Sequence, residues 1–171
     1  MSLYACRVMV VILIVYYSWQ GHTEKVAAAL AERVGGRLEK IEPVSEVGMF
    51  RKGMMAAFGM RAAIRPVQAD LTGVDFLVVA TPVWSQKVPP YVNEYLSQVS
   101  GASGKPFSVL VEMGGSGAEK AVAIVRKSLE AKGMRFVSSA TTLESEVDAG
   151  QFGPAIERLA RTIAEAPAPA A

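Results

Sequence analysis

Val8 to Tyr17 is an unbroken apolar run of 10 residues, rich in Val and Ile and without alternation. Such a run is buried on both faces, as in a parallel sheet covered by helices on either side. It is too short to cross a bilayer, which takes about 20 apolar residues. Nor does it end like a secretory leader. Ser18-Trp19-Gln20-Gly21-His22 follows it, not a small-residue cleavage site. The run reads as a central strand of a cytoplasmic protein.

The rest of the chain repeats the alternation of strand and helix. Apolar residues recur at helical spacing from Thr23 to Val34, and Gly35-Gly36 stops them. Arg37–Ile41 reads as a short strand ended by Pro43. Glu46–Ile64 is rich in Met and Ala and reads as a helix, interrupted by Gly53 and Gly59 and closed by Pro66. Phe76–Ala80 is a second buried strand, ended by Thr81-Pro82. Pro89-Pro90 opens a helix that continues from Tyr91 to Val99. Phe107–Val111 is a third buried strand, Ala118–Ala131 a helix with Gly133 as its cap, and Met134–Ala140 a strand. Phe152–Ala164 is the last helix. This order predicts an α/β fold, an open doubly wound five-stranded parallel sheet with strand order 2-1-3-4-5. One domain spans 1–165, and the Ala/Pro tail 166–171 is frayed.

Composition removes several function classes. There is one cysteine, Cys6, and one histidine, His22, so an internal disulfide, a cysteine cluster and a His-rich metal site are excluded. Cys6, before the first strand, reads as a buried, inert thiol. The net charge of +2 is too small to point to nucleic acid. Its distribution says more. From Val47 to Ala69 the charged residues are Arg51, Lys52, Arg61 and Arg65, with no acid among them. The stretch also holds Met49, Phe50, Met54, Met55, Phe58 and Met60. It suits a layer helix, a membrane-surface helix, a partner-docking face or a lid.

Right-handed crossovers bring the strand-to-helix loops to one edge of the sheet, where ligands of open α/β sheets bind. Three loops stand out there. Ser18-Trp19-Gln20-Gly21-His22-Thr23 precedes a helix whose free N–H groups and dipole suit a phosphate, although an ordinary capped helix has the same look. It is neither a Walker A motif nor a dinucleotide fingerprint. Thr81-Pro82-Val83-Trp84-Ser85-Gln86 brings an indole that can stack on a flat ligand or pack on the core. Glu112-Met113-Gly114-Gly115-Ser116-Gly117 can pass its backbone along a ligand edge or be a surface loop. No Cys-His or Ser-His-Asp arrangement is in view, so enzymatic chemistry would come from a cofactor.

These three loops resemble those of the flavodoxin-like proteins, which bind FMN. Tyr16-Tyr17-Ser18-Trp19-Gln20-Gly21-His22-Thr23-Glu24 is similar to the family's phosphate loop, Ser/Thr-x-Thr-Gly-x-Thr, with Gln20 in place of the usual hydroxyl residue. The resemblance implies that Ser18, Gly21 and Thr23 hold the phosphate and that Trp19, Gln20 and His22 add backbone N–H groups. It implies that Thr81, Pro82, Val83, Trp84 and Ser85 line the isoalloxazine ring, with Gly114, Gly115 and Gly117 on the second ring-side loop. Catalytic side chains and metal ligands are not implied. Two branches fit: the flavodoxin proper, an electron carrier, and the NAD(P)H:quinone reductase, whose loop resembles Tyr-Tyr-Ser-x-x-Gly-His. The function implied is FMN-dependent electron transfer or oxidoreduction. Its partner is a redox protein or NAD(P)H and a quinone, with no nucleic acid and no transmembrane segment. Peripheral membrane contact and a monomeric or homo-oligomeric state are both open. The other reading is a fold without flavin that acts as a binding or scaffold protein through the basic Met-rich segment.

Overall fold

The computed structural model describes residues 10–45 and 48–167. Cys6 and the tail residues 168–171 lie outside them. Five parallel strands form one sheet in the order β2-β1-β3-β4-β5, as the alternation predicts. They are β1 (Ile12–Tyr16), β2 (Arg37–Lys40), β3 (Phe76–Pro82), β4 (Pro106–Met113) and β5 (Arg135–Leu143). The helices are α1 (His22–Val34), α2 (Met49–Ala57), α3 (Pro90–Gln98), α4 (Ala118–Glu130), α5 (Glu144–Asp148) and α6 (Gly153–Glu165). Among the described residues no helix is long and apolar enough to cross a membrane.

Two cores explain why the central strands do not alternate. Leu13, Val15, Leu77, Val79, Phe107 and Val109 point to one face of the sheet, where Tyr91, Tyr95 and Leu96 of α3 and Val125 and Leu129 of α4 cover them. Ile12, Ile14, Phe76, Val78 and Leu110 point to the other face, under Val26 and Leu30 of α1 and Ile156, Leu159 and Ile163 of α6. Each fully buried Val, Leu or Ile is worth about 1.5–3 kcal/mol, so both layers hold the sheet.

Several boundaries differ from the sequence reading. Val8 and Met9 lie outside the described residues, and among those described the first strand starts at Ile12. Ile12 pairs with Phe76, the first residue of β3, and Val10 and Val11 before it are 56% and 40% exposed. Strand length is set here by the partner, not by the apolar run. The third strand does not stop at Ala80; it continues through Pro82, which pairs with Glu112 of β4 beyond the last pairing with β1. A proline is tolerated where one side of the ladder has ended.

The expected helix from Glu46 to Ile64 is in fact α2, Met49–Ala57. Glu46 and Val47 lie outside the described residues. Gly53 does not interrupt the helix, whereas Gly59 ends it. Gly59 takes φ 64°, and the Gly59 and Met60 amides donate to the Ala56 and Met55 carbonyls. Beyond it Ile64 forms an antiparallel bridge with Pro43. The short helix α5 was absent from the sequence reading. Its N-terminus is closed by Glu146, whose carboxylate accepts from the Leu143 amide at 2.9 Å.

Candidate functional site

The carboxyl ends of β1, β3 and β4 open on one cleft of about 280 Å3. That is close to the lower end of small-molecule sites, at about 300 Å3. Ser18, Trp19 and Gln20 line it from the β1–α1 loop, His22 and Thr23 from the first turn of α1, and Pro82, Val83 and Trp84 from the end of β3 and the turn after it. Glu112 and Met113 line it from β4, Gly114 from the loop after it, and Glu144 from α5. The remaining expected residues, Gly21, Thr81, Ser85, Gly115 and Gly117, are not among its lining.

The β1–α1 loop is shaped by Ser18 and Gly21. The Ser18 hydroxyl accepts from the Gly21 amide at 3.1 Å, and Gly21 takes φ 92°. The helix then starts with no side-chain cap. Its first-turn N–H groups lack intrahelical acceptors, and the dipole adds partial positive charge. This end of α1 presents unpaired backbone donors and partial positive charge.

Thr23 does not point to open solvent. It is buried, and its hydroxyl donates to Glu112 Oε2 at 3.3 Å. Glu112 is itself only 6% exposed. Burial pushes its carboxyl above the ordinary carboxylate range. His22 and the Thr23 hydroxyl pull it back, while Glu144 and Asp148 push it further up. His22 stands between two acids, with Nε2 2.9 Å from Asp148 Oδ1 and Nδ1 3.8 Å from Glu144 Oε1. Sequence reasoning missed Glu112, Glu144 and Asp148 because their partners lie far away along the chain. Among the described residues no lysine or arginine lines the cleft. None of their His, Cys, Asp and Glu side chains form a group of three or more able to hold a metal ion.

The aromatic wall is continuous. Trp84 meets Tyr17 edge to face at 5.5 Å between ring centroids, and Trp19 at 6.3 Å. Tyr17 in turn packs on Tyr91 at 5.1 Å. The core thus holds the inner edge of Trp84 while Trp19, 43% exposed, sits at the mouth.

Behind Trp84 the chain makes a two-residue turn. Trp84 and Lys87 exchange both backbone hydrogen bonds, at 2.8 and 2.9 Å. Ser85 and Gln86 between them take φ 47° and 63°. Such turns favour Asn-Gly, and left-handed backbone costs an ordinary residue roughly 1–2 kcal/mol. The strain sits beside the cleft. The turn also passes close to Gly117, where a Cβ would lie 2.7 Å from Gln86 Cα and 2.8 Å from Val83 Cγ1. Gly117 is therefore required by the loop opposite it. Thr81 is fully buried and donates to the Pro82 carbonyl at 2.9 Å, and Ser85 donates to the Gly53 carbonyl of α2 at 3.3 Å.

A helix start with free backbone donors, two indoles and the Gly114 backbone fit a flat ring carrying a phosphate. A profile of the NADPH-dependent FMN reductase family matches residues 9–149. The chain belongs to this family. Solved structures agree on the flavodoxin-like fold that the reductase family shares. A candidate flavoprotein of Bacteroides eggerthii matches with a TM-score of 0.66 at 22% identity, over 85% of this chain and 97% of its own. A flavoprotein of Lactobacillus acidophilus in complex with FMN gives 0.66 at 20% identity, over 81% and 97%. Oxidised flavodoxin 2 of Bacillus cereus gives 0.63 at 18%, over 91% and 98%. No curated protein matches the sequence. As an FMN reductase family member, the chain has FMN as its cofactor, and FMN-dependent electron transfer or oxidoreduction is its function.

Proposed function

We propose that this chain is a reductase that holds FMN in the cleft, takes reducing equivalents from NADPH and passes them to a quinone or a flavin. The observation that carries this reading is the uncapped start of α1 facing the same cleft as Trp84. Bound FMN supplies a ring able to accept and release one or two electrons. The chain's residues bind and orient it. The first-turn amides of α1, the Gly21 turn and the Ser18 hydroxyl hold the phosphate. Trp84, fixed by Tyr17 and Tyr91, offers the flat surface for the ring. Val83 and Pro82 border it on one side, and Gly114 lets the backbone approach on the other. Thr81 and Ser85 act at one remove, by fixing the strand end and the turn that carry Trp84. Gly115 and Gly117 set the path of the second ring-side loop.

The anionic donor approaches over α2. Phe50, Met54 and Phe58 recur four residues apart and are 86%, 46% and 76% exposed. Arg51 and Arg61, both exposed, lie in the same stretch of sequence. Ser85 ties α2 to the turn behind Trp84, and Lys87 donates to the Ala57 carbonyl at 2.7 Å. A charged apolar face held against the ring-side loop suits a partner that brings phosphates or acidic groups.

The test is a visible spectrum of the purified protein after incubation with FMN and desalting, followed by anaerobic NADPH. Retained flavin bands that bleach with NADPH are expected. A protein that keeps no flavin overturns the site. Retained flavin that only a protein reductant bleaches overturns the choice of NADPH and leaves an electron carrier.

A further inference from the structure

The Thr23 hydroxyl has one hydrogen and two claimants. It donates to Glu112 Oε2 at 3.3 Å, and both residues line the cleft onto which the first turn of α1 opens. A phosphate at that turn is a stronger acceptor and sits beside the same hydroxyl. An ionised Glu112 holds the hydrogen away from it and adds a second negative charge close by. A neutral Glu112 reverses both effects. Its carboxyl donates to Thr23 Oγ1, which frees the threonine hydrogen for the phosphate, and the charge is gone.

We propose that Glu112 competes with the FMN phosphate for the Thr23 hydroxyl, so that FMN binding is coupled to proton uptake by Glu112. The proposal rests on FMN occupying this cleft. Glu112 acts through Thr23 and is a positioning residue.

The surroundings favour protonation when an anion arrives. Glu112 is buried at the end of β4. It is faced from α1 by His22 and Thr23, and from α5 by Glu144 and Asp148. His22 is the one cation-capable side chain among these. Its ring nitrogens are turned to Asp148 and Glu144, at 2.9 and 3.8 Å. The phosphate thus adds its charge to a group of three acids and a single imidazole. Burial already disfavours the ionised form of Glu112, so the added charge tips the carboxyl towards its acid. The proton comes from solvent, one for each FMN that drives the change, and no bond other than O–H is made or broken.

The test is calorimetric titration of the apoprotein with FMN at pH 7.5, in two buffers of different ionisation enthalpy. At that pH the phosphate is already mostly a dianion, its second pKa being about 6. The wild type is expected to take up a proton on binding FMN, and riboflavin, which lacks the phosphate, is expected to bring none. Glu112→Gln removes the charge and keeps a donor for Thr23. It is expected to abolish the uptake and to bind FMN about tenfold more tightly, the equivalent of one pK unit. Its affinity should lose the wild type's rise towards lower pH. Equal uptake in E112Q, no uptake by the wild type, or weaker binding by E112Q overturns the proposal. The wild-type comparison of FMN with riboflavin decides it even if E112Q does not fold. A wild type that binds neither ligand fails the cofactor site itself, a separate result.

Discussion

Trp19 and Trp84 meet edge to face at the mouth of the cleft, with centroids 6.3 Å apart and planes at 85°. A flat ring cannot lie parallel to both, so on the proposed binding mode one indole is the stacking surface and the other its edge. The interior decides between them, because Tyr17 and Tyr91 fix Trp84 from behind, at 5.5 and 6.4 Å.

Trp19→Ala should therefore leave stability within about 0.5 kcal/mol, as for exposed sites. It should weaken FMN binding by about two- to tenfold, the worth of an edge contact. Trp84→Ala should cost the fold about 2–3 kcal/mol and weaken FMN binding further. Fluorescence titration and thermal melts read both effects. A larger FMN loss in W19A than in W84A would reverse the assignment.

Gly117→Ala puts a Cβ 2.7 Å from Gln86 Cα at a φ of 103°, so the turn behind Trp84 must move. The expected cost is about 2–3 kcal/mol. At roughly 2–4 °C per kcal/mol for a chain of this size, a melt resolves it easily. Gly21→Ala is the comparison. Its φ is 92°, yet the added methyl meets nothing within 4 Å. It should cost about 1–2 kcal/mol from backbone conformation alone.

The Ser85–Gln86 turn offers a change in the opposite direction. Replacing the pair by Asn-Gly supplies residues that accept left-handed backbone. The double variant should gain about 1–2 kcal/mol in a denaturant titration, reduced by loss of the Gln86 contact with Lys120 and of the Ser85 contact with α2. A neutral or negative result would mean that these contacts outweigh the backbone strain.

Tyr95 is fully buried with its hydroxyl unpartnered, and burial, with Glu39 adding, pushes that hydroxyl's pKa up. The sign follows. Below its ordinary value of 10.0 the side chain is neutral in both folded and unfolded chains and has no pH effect. Above it the unfolded chain ionises first, so stability falls as pH rises. Tyr95→Phe should remove that part of the alkaline loss, visible as a smaller drop in melting temperature between pH 9 and pH 11. At pH 7 it should be neutral or stabilising by about 1 kcal/mol, since no hydrogen bond is given up.

Glu112 makes a similar statement at lower pH. Burial raises its folded carboxyl above the ordinary carboxylate range, so the fold bears no ionisation cost below the unfolded range and an increasing one as pH rises through the folded value. Glu112→Gln should melt higher than wild type at pH 7, with the difference shrinking towards pH 4. A difference independent of pH would place the effect in packing.

The architecture was legible in the sequence because burial on both faces leaves a plain mark. Ile12–Tyr16, Phe76–Ala80 and Phe107–Val111 are near-continuous apolar runs, and their loops had to meet at one edge. The local parts of the site were legible for the same reason: Ser18 and Gly21 act on neighbours in sequence. The Thr23–Glu112 and His22–Asp148 contacts span 89 and 126 residues and exist only after the sheet assembles. The left-handed pair Ser85–Gln86 was hidden too. Tertiary contacts hold it, and neither residue type signals that backbone. The extent of α2 was misjudged because Met and Ala continue past Gly59, where backbone geometry, not composition, ends the helix.

The start of α1 has no side-chain cap of its own. A cap is commonly worth about 1 kcal/mol, and on the proposed binding mode the FMN phosphate takes that place. Loading then adds stability by mass action, about 2.7 kcal/mol when free ligand stands at 100 times its dissociation constant. Without flavin the same chain should be easier to unfold, and its melting temperature should rise with added FMN.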